Sequence, residues 1–196
     1  MSSWQRLIKY AGSILSATAM MYRRLFVLTI IFNRSLSLLV LPYFLSLFII
    51  SVFTAWWIYK KKNNTAVADG QIITEHINPL EFKVAMVFAL LYLVFTALTQ
   101  LTLQYFGSTG LTILSFFVGF SDIDPFLMNL FQGTHNVSLA VIAVATLQAV
   151  FSNNVLKMIY GILLSKSMVR KKLTIGFTII IAASIIAIAT MYKVIS

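Results

Sequence analysis

Apolar residues fill this chain in long, nearly unbroken runs, and polar residues gather in the gaps between them. Runs at Tyr10–Phe32, Leu38–Tyr59, Val84–Phe106, Val137–Ser165 and Leu173–Tyr192 are predominantly apolar along their whole length. Each is long enough, at about 1.5 Å per residue, to cross a hydrocarbon layer of about 30 Å. A helix that is apolar all round is either the centre of a large protein or a membrane span. The pattern therefore predicts an all-α integral membrane protein of five to six transmembrane helices.

One run breaks the rule. Between Gly107 and Gly133 the apolar stretch Leu111–Phe120 stops at Asp122, Ile123, Asp124 and Pro125, and a second short apolar stretch follows. As a helix the first stretch would be only about 15 Å long, half the hydrocarbon thickness. Proline disfavours helical geometry in the residue before it and fits the first position of a new helix, so Asp124 is expected as N-cap of a helix over Pro125–Phe131. Half-helix, acidic break, half-helix is the pattern of ion and solute sites in transporters. A capping aspartate in a wet loop would give the same residues without such a site.

Polar groups also interrupt other spans. Arg23 and Arg24 fall past the middle of the first run, and charges there need a partner, water or a route to the interface. Thr96, Gln100 and Gln104 form one stripe, expected to bond between helices inside the bundle. Ser152, Asn153 and Asn154 cut the fourth run, with Lys157 sharing a face with Asn153. Asn78, Pro79, Leu80 and Glu81 are a helix-start signal for the third run.

Composition agrees with the pattern. Of 196 residues, 60% are hydrophobic and 10% charged, with a mean hydropathy of +0.92. The formal charge of +10 suggests nucleic acid, but the basic residues flank apolar runs, at Arg6 and Lys9, Lys60–Lys62 and Lys166–Lys172. That is orientation charge, not a nucleic-acid surface. Arg6 and Lys9 before Ala17, Thr18 and Ala19 mimic a signal peptide, yet hydrophobicity resumes after Arg24 through Phe32, as in a full crossing. The absence of cysteine excludes disulfides and thiolate sites, and two distant histidines, His76 and His135, draw no zinc-type cluster. Nucleophile and metallohydrolase motifs are missing, so no enzyme and no cofactor is expected, and the identity of any bound metal stays open.

Charge also bears on topology. If every run crossed once, Lys60–Lys62 and Lys166–Lys172 would lie on opposite sides, against the positive-inside tendency. A hairpin that enters and leaves on one face, turning at Asp122–Pro125, puts all three basic clusters on the cytoplasmic side with the N-terminus. The polar linker Asn63–Asn78, with Asp69, Glu75 and His76, is then a solvated cytoplasmic loop.

Asn78–Lys83 (NPLEFK), Phe106–Leu111 (FGSTGL), Gly119–Asp124 (GFSDID) and Ser152–Asn154 with Lys157, in that order, resemble the C-terminal domain of unknown function DUF4010 carried by bacterial MgtC/SapB-type membrane proteins. The resemblance covers nearly the whole chain. The family motif G-L-x-D-V-D-A maps onto Gly119, Asp122, Ile123 and Asp124, with Pro125 in place of alanine, and a family arginine falls on Arg24. It implies a bacterial inner-membrane location and leaves the substrate open.

The residues and the resemblance together give a single helical membrane domain over 1–196. Its first two helices (1–59) are the tail of a possible earlier repeat, and a cytoplasmic loop (60–78) leads into a second repeat (79–196) that holds the break. Ala17–Phe32 and Ala145–Leu163 both start Ala-Thr and place polar groups before an apolar continuation, a weak hint of duplication. The expected function is handling of a small ion or solute. Asp122 and Asp124 stand at the break, Asn153, Asn154 and Lys157 face them, and Arg24 is the counter-ion. The competing class is a regulator or assembly subunit whose charge pairs only specify packing. Expected partners are the lipid bilayer and either further copies of the chain or a separately encoded membrane protein.

Overall fold

A computed structural model describes residues 3–60, 80–133, 135–165 and 167–195. Lys61–Lys62, the linker Asn63–Asn78 with Asp69, Glu75 and His76, Pro79, Thr134 and Lys166 lie outside the described residues. The described residues form six helices and no strand. They are α1 (Ser3–Phe32), α2 (Arg34–Lys60), α3 (Leu80–Val118), α4 (Ile123–Gln132), α5 (Leu139–Leu164) and α6 (Ser167–Ile195). All but α4 are long and apolar enough to cross a membrane.

α1 and α2 form a tight hairpin closed at Asn33, whose side-chain oxygen accepts from Leu36 N at 2.9 Å and so caps α2. α2 starts earlier than its apolar run, which places Pro42 inside the helix. α5 and α6 form the second hairpin, closed around Ser165. Gly176 of α6 lies against Leu15 of α1 and Ile58 of α2. Farther along α6, Ser184 lies beside Tyr22 of α1. Moving away from the second turn is therefore moving toward the first, and the two hairpins are inverted relative to each other. The same order puts the end of α2 and the Ser165 turn at one end of the bundle, with Lys60 and, in the first turns of α6, Arg170–Lys172.

α3 is two helices in one. Gly107 stands at φ 59, ψ −150, a conformation that only glycine adopts readily, and breaks the helix between residues 80–106 and 108–118. Residues 108–118 then run to a turn at 119–122, where Gly119 meets Ser152 and Asn153 near the middle of α5. α4 leads back out. Phe126 packs edge-on against Phe95, with ring centroids 5.8 Å apart, and Asn129 Nδ2 donates to Thr96 Oγ1 at 2.8 Å. Both partners lie in the first part of α3, so α4 follows that part toward the end where α5 begins. The helical segments around the break are a hairpin that enters and leaves at one end, with its tip halfway along the bundle.

Candidate functional site

The hairpin tip is built by a cap and a close approach. Asp122 is extended (φ −79, ψ 111), and its carboxylate accepts from Asp124 N at 3.2 Å. The N-cap is therefore Asp122, not Asp124, and Pro125 sits inside the first turn of α4 instead of opening it. A proline costs nothing there, because the first turn's N–H groups have no intrahelical acceptor. This frees the Asp124 carboxylate from capping. Gly119 is where the tip touches α5: a Cβ on it would lie 1.7 Å from Ser152 Oγ and 2.6 Å from Ala149 O. Asn153 Nδ2 donates to Gly119 O at 3.3 Å, tying the turn to the same helix.

Asp124 forms an ion pair with Arg24 of α1, joining the hairpin tip to the first helix. The aspartate side chain is 21% exposed and the arginine 61%, so one face of the pair remains open to whatever lies outside α1. Arg23 points elsewhere and is exposed. Lys157 Nζ donates to Met21 Sδ at 2.9 Å and lies within the electrostatic field of Asp124. A thioether is a weak acceptor and carries no countercharge. Among the described residues the carboxylate is thus shared unequally between two cations, one in contact and one nearby.

Asn154 turns away from the aspartates. Its Nδ2 donates to Tyr22 Oη at 2.8 Å, and both residues are fully buried. Asp122 also faces outward, lining a shallow groove with Lys83, Val84, Val87, Phe88 and Leu91. Of the six residues singled out from the sequence, Arg24, Asp124 and Lys157 come together, Asn153 braces the tip, Asn154 joins a second cluster, and Asp122 caps. Tyr22 and Met21 belong to the site and were not singled out, since nothing in an apolar run marks a tyrosine or a methionine as its contact point; Gly119, placed in the family motif, is the contact of the tip with α5. The expectation for Gln100 and Gln104 is overturned: only Thr96 of their stripe bonds inward, and both glutamines are exposed on α3. No group of three metal-ligating side chains occurs among the described residues.

The model of the family described as Domain of unknown function (DUF4010) matches residues 5–165. The chain belongs to that family. An uncharacterized protein of Aquifex aeolicus (strain VF5) is 31% identical over 183 residues, covering 91% of this chain and 75% of the relative. No solved structure matches. The family match reaches from α1 to the end of α5 and so includes Arg24, the whole hairpin and Lys157. It carries no link to the MgtC/SapB-type proteins, and the domain's description assigns no activity.

Proposed function

We propose that this member of the DUF4010 family is a multi-pass protein of the bacterial inner membrane, with its N-terminus cytoplasmic, that moves a small ion or solute past the hairpin tip. The Arg24–Asp124 pair is the observation that carries this reading, because it couples a helix break at mid-bundle to a full-length helix of the inverted pair. Inverted hairpins with a discontinuous helix between them are the architecture in which rocking of one unit against the other exposes a central site alternately to each side. Lys157 supplies a second cation that can take over the carboxylate when Arg24 leaves it, so the pair can open without stranding a bare charge. Asn153 holds the tip against α5 while the partners exchange.

Proteoliposomes given stepwise gradients of sodium, potassium, magnesium, chloride and protons test the reading by the charge they move. Flux above that of empty vesicles, lost in both Asp124→Asn and Arg24→Gln proteins that still fold, is the expected result. Equal signals from wild type, variants and empty vesicles for every ion would contradict it.

A second reading is favoured by α3. Its outer face is apolar but carries Gln100 and Gln104 one turn apart, and an amide facing lipid gains from a partner that can hydrogen-bond. In that reading the chain is an assembly subunit, or a homo-oligomer, joined through α3. Gln100→Leu with Gln104→Leu should then lower the mass of the gently solubilised complex; an unchanged mass would dismiss the α3 contact.

A further inference from the structure

Two cations and one carboxylate meet at the hairpin tip: Arg24 holds Asp124 in an ion pair, and Lys157 lies in the field of the same carboxylate. Asp122 does not even the count, because it caps α4 and faces the groove that it lines with Lys83. Among the described side chains the tip therefore carries one positive charge more than it can pair. Met21, whose thioether receives Lys157, stands three residues before Arg24 and on the same side of α1. The ammonium thus meets α1 about 5 Å along the helix axis from where the guanidinium leaves it.

Donors are in surplus as well. Arg24 gives Asp124 a bond from Nη2, and its other N–H groups find no acceptor among the described residues. Lys157 spends one N–H on the Met21 sulfur, a weak acceptor without countercharge. Neither cation can give up this demand cheaply, since an unmatched charge within a span is costly. Arg24 is mostly exposed, so the free donors are within reach of a ligand at the open face of the pair.

We propose that Arg24 and Lys157 together bind a small monovalent anion, of the size of a halide, nitrate or formate, at the open face of the ion pair. This rests on the reading of the tip as a solute site and names the class of solute. With the site empty, Arg24 keeps Asp124 and Lys157 keeps only a thioether. When an anion takes Arg24, Asp124 turns to Lys157, and each cation then has an anion of its own. The exchange ends with no charge uncompensated. A cation is disfavoured as ligand, because it would add to the surplus and find the carboxylate already held. A divalent anion overshoots, turning the surplus into a deficit of equal size. Arginine and lysine are also the side chains with which anion pores select.

The test reads binding and not flux. Thermal unfolding of the detergent-purified chain is followed at constant ionic strength while gluconate, a bulky anion, is replaced by chloride, nitrate or formate with sodium held fixed. In a second series sodium is replaced by potassium or choline with gluconate held fixed. A ligand that binds only the folded state raises the midpoint, and does so saturably. The expected result is a rise of several degrees with at least one small anion and none with a change of cation. Lys157→Met, which keeps the Arg24–Asp124 pair and removes the surplus charge, should abolish the rise. Asp124→Asn, which removes the competing carboxylate, should bring it on at a severalfold lower anion concentration. Lys157→Met exchanges a partly buried charge for an apolar chain of similar length, and it keeps the test open if Asp124→Asn folds poorly. Equal midpoints in every anion would overturn the site, as would a rise that follows the cation, or one that either folded variant leaves unchanged. Flux without an anion-dependent midpoint would sink this site alone, and an anion-dependent midpoint without flux would sink transport alone.

Discussion

Gly119 has no room for a side chain. Gly119→Ala places a methyl 1.7 Å from Ser152 Oγ, which can rotate, and 2.6 Å from the backbone oxygen of Ala149, which cannot. The hairpin tip must retreat from α5, and overpacking of this kind costs about 1–3 kcal/mol. Thermal melts should show that loss, with Ser152→Gly restoring only part of it because the Ala149 clash persists. The Arg24–Asp124 pair has its own signature. Its value lies between an exposed pair, at about 0–1 kcal/mol, and a buried one broken on one side, at about 3–5 kcal/mol. Arg24→Gln and Asp124→Asn should each lower the melting temperature, and the double variant should be no worse than the poorer single; additive losses would mean that the charges do not interact. The sequence marked these charges because ions are rare in apolar runs. It could not mark Tyr22 or Met21, whose roles depend on what a distant helix brings to them, and tyrosine and methionine are common in such runs for bland reasons.

The element that most departs from local pattern is α3. Gly107 to Gly110 is the gap between two apolar runs, yet the chain is helical on both sides of Gly107, and one residue takes the whole change of direction. No atom lies within 4 Å of a Cβ built at Gly107, so a substitution there is opposed by backbone conformation alone. At φ 59, ψ −150 even asparagine finds no relief, since its tolerance is for the left-handed helical region and not for this one. Gly107→Ala and Gly107→Asn should therefore destabilise alike, by about 1–3 kcal/mol, in chemical or thermal unfolding. An asparagine variant as stable as wild type would mean that the break can be made another way. The two short helical arms were expected from the sequence because an apolar run of half the bilayer thickness must turn back. The cap was misplaced by two residues because proline tolerates the whole first turn of a helix, and only the Asp122 side chain, bonded to Asp124 N, shows which carboxylate closes it.

For the whole molecule, the central claim is that two inverted hairpins enclose a third that enters and leaves at one end. Charge in the sequence pointed to this arrangement by counting basic clusters. The inversion itself was beyond reach, because α1 and α5 share only a faint likeness and the direction of each hairpin is fixed by contacts such as Gly176 with Leu15 and Ile58. The chain contains no cysteine, so single cysteines report position without interference. The deciding measurement is labelling of Arg34→Cys, Ser108→Cys, Asn136→Cys and Ser165→Cys in intact cells with a membrane-impermeant maleimide. The first three positions should label from outside, and Ser165→Cys only after the membrane is opened. Labelling of Ser108→Cys and Asn136→Cys from opposite sides would contradict the hairpin, and labelling of Arg34→Cys and Ser165→Cys from the same side would contradict the inversion.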